Sequence, residues 1–141
     1  MIYLDPSDEN VAALLARRLQ GNVVMLNLLK LRETADYSDH PQLAPAAPIS
    51  GRQAFEKYVE HTLPFLARSG GELLYLGTGG TYFIGPADEG WDLVMLVRQQ
   101  SLESFFSFAT DAAYLAGIGH RAAAVLYSRL RPLTDETGRW R

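Results

Sequence analysis

Val23-Val24-Met25-Leu26-Asn27-Leu28-Leu29-Lys30-Leu31 is the stretch on which the fold turns. In an extended chain successive side chains point to opposite faces. Val23, Met25, Asn27, Leu29 and Leu31 then share one face, and Val24, Leu26, Leu28 and Lys30 share the other. Both faces are dominated by apolar side chains, so a strand here needs cover on both sides. A buried helix is the competing reading of such a run. The β-branched pair at its start and the turn-rich segment after it favour a strand. A second run, Leu93-Val94-Met95-Leu96-Val97, has the same two-sided character.

Working outward from these two runs, the chain from Val23 to Arg131 reads strand, helix, strand, strand, helix, strand. Ser50-Gly51-Arg52-Gln53 is a capping box that opens a helix carrying Phe55, Tyr58, Val59, Thr62 and Leu66. Pro64 is expected to kink its last turns or to separate a short terminal segment, and Ser69-Gly70-Gly71 ends it. Leu73–Leu76 is a strand, Gly77-Thr78-Gly79-Gly80 a turn or bulge, and Thr81-Tyr82-Phe83-Ile84 an extended continuation. Trp91–Arg98 is the third strand. Ser101 caps a helix with Leu102, Phe105, Phe106 and Ala109, which Asp111 restarts and carries to about Arg121. Val125–Arg131 is the last strand.

Strand–helix–strand twice over predicts an α+β, ferredoxin-like βαββαβ fold with an antiparallel sheet. Right-handed crossovers put the first and third strands at the sheet centre, and these are the two most apolar. Two helices cover one face only. The other would expose more Leu, Val and Met than a soluble monomer tolerates. A homodimer formed through the sheet face removes that patch.

Outside this core, at about 23–131, an extra N-terminal helix is expected at about 6–20. Asp5 is its N-cap, Pro6 its first residue, and Gly21 its stop. The segment at about 33–50 holds three prolines and no periodicity, as a lid, a binding loop or a variable insertion would. Residues 132–141 read as a polar tail. The 141 residues form a single domain on this reading.

The chain contains no cysteine, which excludes a disulfide framework, a thiolate zinc site, a cysteine nucleophile and an iron–sulfur cluster. With a net charge of −3 there is no electrostatic reason to expect nucleic acid. No apolar run approaches the ~20 residues of a membrane span, so no membrane partner is expected. The start, Met1-Ile2-Tyr3-Leu4-Asp5-Pro6, has no basic region followed by an apolar stretch. A cytoplasmic location is the expectation.

A resemblance follows from an ordered set of stretches. They are Val24-Met25-Leu26-Asn27-Leu28-Leu29-Lys30, Gly70-Gly71, Trp91-Asp92, Asp111-Ala112-Ala113-Tyr114, His120-Arg121-Ala122-Ala123 and Ser128-Arg129-Leu130. Together they resemble domain-of-unknown-function family 1330 of the dimeric α+β barrel superfamily, over roughly Val23 to Leu130. The resemblance implies a subunit that dimerises through its sheet into a barrel. Its superfamily includes small monooxygenases, haem-degrading enzymes, isomerases and stress proteins, so it leaves the chemistry open. Members of the family carry an acidic pair just before Ser-Arg-Leu. This chain has Leu126-Tyr127 there, so a role for such an acid does not carry over.

Two kinds of function fit these features. One is a small-molecule-binding homodimer, working as a cofactor-independent enzyme with a ligand between sheet and helices. The other is a non-catalytic structural or stress-related dimer. Asp92, at the start of the third strand, is a candidate general base, or else a turn cap or the partner of an arginine. His120 is a candidate acid/base that titrates near neutrality, with Arg121 beside it as an anchor for an anion; both are equally helix C-terminal cations. Asn27 is a ligand-facing amide or a core group satisfied within the sheet. Tyr58, His61 and Tyr114, with Tyr82, line a pocket or pack as core aromatics. Arg129 is a further ligand contact, or pairs like Arg121 with Asp92 or Asp111. No cofactor is expected and no metal, because no His, Asp and Glu set has ligand spacing; the alternative is a haem ligand from His61 or His120. Gly77-Thr78-Gly79-Gly80 is not a dinucleotide fingerprint, because no helix is expected to start behind it.

Overall fold

The computed structural model describes residues 3–140. Met1 and Ile2, read above with the N-terminus, and Arg141, the end of the expected tail, lie outside the described residues. Four strands, β1 (Val23–Leu31), β2 (Glu72–Thr78), β3 (Leu93–Gln99) and β4 (Val125–Thr134), form one antiparallel sheet in the order β2-β3-β1-β4. The two apolar strands are therefore central, as the crossover rule requires. Helix α2 (Gly51–Arg68) connects β1 to β2. Three short helices, α3 (Leu102–Ala109), α4 (Ala112–Leu115) and α5 (Ile118–Ala124), connect β3 to β4. The fold is the expected α+β, ferredoxin-like one.

The core lies between the sheet and the helices. Leu29, Leu93, Met95 and Val125 of the sheet are buried against Ala54, Phe55 and Tyr58 of α2, Tyr114 of α4 and Ala123 of α5. The register puts Leu26, Leu28 and Lys30 on the other face, with Val94 and Leu96 of β3 and Arg129 and Arg131 of β4. Tyr75 of β2 pairs with Leu96 and is exposed there. Among the described residues no helix lies over this second face, and none is long and apolar enough to cross a membrane.

Several boundaries differ from the expectation, each for a physical reason. The N-terminal helix, α1, runs Asp8–Ala16, and its N-cap is Ser7, whose hydroxyl accepts from the Asn10 N–H. Asp5 is not the cap. Arg18 takes a positive φ of 49°, so the chain has left helical conformation before Gly21. The helix buries no residue. Pro64 does not divide α2, which is continuous to Arg68. Thr81–Ile84 forms no strand, because β2 ends at Thr78 and the chain to Asp92 is an irregular loop. The segment at 33–50 is held in place at both ends. Thr34 bridges Ser50, Asp36 N–H donates to Ala123 O, and a 3-10 turn spans Pro41–Leu43. β4 runs on to Thr134, into the segment expected as tail.

Candidate functional site

The candidate residues fall into three groups rather than one. The first lies on the helix layer. Asp111 caps α4 by accepting the Tyr114 N–H. That turn carries Tyr114 against Tyr58 of α2, their hydroxyls 2.8 Å apart in the core. Burial and the neighbouring Tyr58 push the Tyr114 phenol above its ordinary range. His61, one turn along α2, sets Nε2 within 3.0 and 3.1 Å of Ala113 O and Tyr114 O. Carbonyls only accept, so Nε2 carries the proton. A Cβ on Gly117 would lie 2.2 Å from that ring; the glycine is what lets the imidazole reach the helix end.

His120 lies on the same layer. Its Nδ1 is 2.7 Å from the Tyr37 hydroxyl, and the two rings meet edge to face. Partial burial, with Lys57 and His61 as further sources of positive charge, holds the His120 imidazole below the usual histidine range. A neutral imidazole then accepts the phenol proton. Tyr37 comes from the 33–50 segment, and nothing in the sequence marked it. The signal that was available is local: a lone Tyr in a Pro- and Ala-rich stretch needs an apolar berth.

The second group is structural in its contacts. Arg121 of α5 donates to Leu4 O at 3.2 Å and to the Ser128 hydroxyl at 3.4 Å. Ser128 in turn donates to Tyr3 O. These bonds tie the chain start to the edge strand β4. Asn27, buried on the helix-facing side of β1, donates to Met25 O at 3.2 Å.

The third group lies on the uncovered side of the sheet. Asp92 accepts from Leu31 N–H at 2.8 Å and from Lys30 Nζ at 3.3 Å. Its carboxylate extends the β1–β3 ladder by one bond and neutralises the lysine. Trp91 packs edge-on against Tyr127 and donates to the Tyr82 hydroxyl at 2.6 Å. Tyr82 therefore belongs here, away from Tyr58 and Tyr114. The Arg129 guanidinium lies over the Tyr3 and Trp91 rings at 4.7 and 5.5 Å and donates to Ser128 O. Neither Arg121 nor Arg129 forms an ion pair among the described residues; Asp92 and Asp111 are engaged as above.

Asp92 and His120 thus lie in different groups. Two grooves among the described residues are lined mainly by apolar side chains. One of about 450 Å³ runs between Leu15 of α1 and Leu102, Phe106 and Thr110 of α3. The other, of about 300 Å³, lies between Phe55, Val59 and Leu63 of α2 and Leu76 and Leu93 of the sheet. None of the candidate side chains lines either one. Among the described residues no three His, Asp or Glu come together as a metal-ligand set. Gln99 is buried at the end of β3 with neither amide atom hydrogen-bonded, a burial that strand patterning does not foretell.

No protein-family model matches the chain, and no curated protein matches it. Solved structures do. The RPA0582 protein of unknown function from Rhodopseudomonas palustris aligns at 32% identity and a TM-score of 0.83, over 96% of this chain and 98% of that one. Its methylated form aligns at 33% identity and the same TM-score, over 95% of each chain. A protein of unknown function from Bacteroides fragilis, described as dimeric with a ferredoxin-like fold, aligns at 16% identity and a TM-score of 0.51. It covers 82% of this chain and 98% of its own, and it bears on the fold alone. An identity of 32% sustained over nearly the full length of both chains means that this chain belongs to the family of the Rhodopseudomonas palustris RPA0582 protein.

Proposed function

We propose that the protein works as a homodimer joined sheet to sheet, a dimeric α+β barrel whose polar candidate residues hold the subunit together. One observation carries this reading. Leu26, Leu28, Val94 and Leu96 form the centre of a sheet face that no helix of the described chain covers, with Tyr75 exposed beside them. A second copy supplies the missing layer. The Bacteroides fragilis protein of similar fold is itself described as dimeric. The stretches quoted above support the finer placement in domain-of-unknown-function family 1330.

The non-catalytic form of this reading has the better support. Asn27, Asp92 and Arg121 each spend their hydrogen bonds on backbone or neighbouring side chains. Sedimentation velocity at micromolar concentration tests the assembly. Two chains per particle are expected for the native protein and one for Leu28→Lys. A native particle of one chain would end the proposal.

A ligand-binding, cofactor-independent enzyme is the second reading, and the Tyr37–His120 pair favours it. A half-buried neutral imidazole 2.7 Å from a phenol is an acid/base pair able to pass a proton to a small molecule. Chemical-shift mapping against a panel of small carboxylates and phenols tests this. Perturbations centred on Tyr37, His120 and His61 support it, and none across the panel counts against it.

A further inference from the structure

Phe83 and Ile84 are 101% and 88% exposed, the most conspicuous breach of apolar burial among the described residues. They project from the 79–92 loop between β2 and β3. That loop is fixed at its base rather than free. Gly79 N–H donates to Asp92 O at 2.9 Å, and Tyr82 is held by Trp91 Nε1. Trp91 is itself buried, against Tyr127 and under Arg129. Tyr127 and Arg129 pair in register with Lys30 and Leu28, on the uncovered face of the sheet. The two exposed side chains therefore stand on a loop whose base is anchored at the rim of that face.

We infer that the Phe83–Ile84 tip is a docking arm for a second copy of this chain, closing over the partner's sheet edge when the two faces meet. This rests on the sheet-face dimer proposed above. Two observations select a second copy as the occupant. The first is continuity with the uncovered face, since a two-fold contact brings each rim onto the partner. The second is charge. The 79–92 loop carries Asp88, Glu89 and Asp92 and no Lys or Arg. Asp92 is already paired with Lys30 and Glu89 is engaged by the Tyr82 hydroxyl, so of the three carboxylates Asp88 is the one outside these contacts. On the uncovered face Arg129, stacked over Tyr3 and Trp91, and Arg131 enter no ion pair among the described residues, so an acidic loop meets guanidinium groups that have no carboxylate partner. The same acidity disfavours an anionic lipid surface, which attracts basic segments.

The experiment compares three full-length proteins by sedimentation across nanomolar to micromolar concentration: native, Phe83→Ser/Ile84→Ser and Asp88→Lys/Glu89→Lys. Both variants alter exposed side chains, so the far-ultraviolet dichroism of each is expected to match the native chain. Loss of the apolar tip, counted twice per dimer, is expected to weaken dimerisation on the order of a hundredfold. The charge reversal is expected to weaken it on the order of tenfold, with the deficit shrinking as salt is added. A native dimer whose affinity is unmoved by the serine pair overturns the arm and leaves the sheet-face dimer standing. A native monomer overturns both. Native binding to phosphatidylcholine vesicles that the serine pair abolishes, with dimer affinity unchanged, assigns the tip to lipid and overturns the arm.

Discussion

His120 concentrates the candidate chemistry into one titratable atom. Its imidazole is held below the ordinary histidine value of 6.5 by burial and by Lys57 and His61. The folded state therefore prefers it neutral more strongly than the unfolded chain does. Above the unfolded value both states are neutral, and His120 imposes no penalty. As pH falls through 6.5 the unfolded chain takes up a proton first, so stability is lost downward toward the depressed folded value. We expect the melting temperature to fall between pH 7 and pH 5, and His120→Gln to flatten that slope while lowering the plateau slightly. Equal slopes in the two proteins would show that another group sets the acid limb. At this scale the sequence showed residue types but not partners. The Tyr58–Tyr114 contact was legible because both aromatics fall on inward-facing positions of successive helices. Tyr37 was not, because it meets His120 across 83 residues from a segment without periodicity. Asp92 was recognisable as a candidate base; its engagement by Lys30 and the Leu31 N–H depends on strand register, which the sequence leaves free.

Element by element, the strongest local signals were the truest. The capping box at Ser50 and Gln53 is present with both reciprocal bonds, Ser101 caps α3 and Asp111 caps α4. Each is a short-range bond that needs nothing from the rest of the fold. One local reading failed, since Ser7 and not Asp5 caps α1; the others that failed depended on tertiary context. Thr81–Ile84 has strand-forming residues but nothing opposite it to continue the ladder, since the pairing of β2 with β3 ends at Thr78 and Leu93. The 33–50 segment looked loose because its order comes from α5. Gly119 is bare enough for His40 and Leu43 to lie against it, and a Cβ there would sit 2.7 Å from each. Pro64 is the instructive case. It lacks the N–H that would reach Glu60 O, yet α2 runs through it, because Phe55, Tyr58, Thr62 and Leu66 are buried on both sides of the break. Packing outweighs one missing bond. Pro64 is exposed, so Pro64→Ala restores the bond at no packing cost. It is expected to raise stability by up to ~3 kcal/mol, read by urea denaturation. A loss of stability would mean that the proline shapes the helix to fit the sheet.

For the whole molecule, the decisive question is whether the second sheet face stays in water, and its charges allow that to be asked directly. Lys30 is paired with Asp92, and Arg98 with Glu72 across the β2–β3 ladder. In an isolated subunit such half-exposed pairs contribute only ~0–1 kcal/mol. Glu72→Gln would then leave the melting temperature nearly where it was. Covered by a second sheet, the same pairs become a condition of assembly. A guanidinium that loses its carboxylate is then desolvated without compensation, at a cost of ~3 kcal/mol or more. Each dimer contains the position twice. Glu72→Gln is therefore expected to weaken dimerisation at least ~100-fold while barely changing the stability of the dissociated chain. The native melting temperature is expected to rise with protein concentration, as mass action requires of a folded dimer, and the variant's to lag behind it. An unchanged dissociation constant in Glu72→Gln would mean that Arg98 and Glu72 remain hydrated in the assembly. The contact would then have to run through the exposed edge of β2, where Leu74 and Leu76 also lie in solvent.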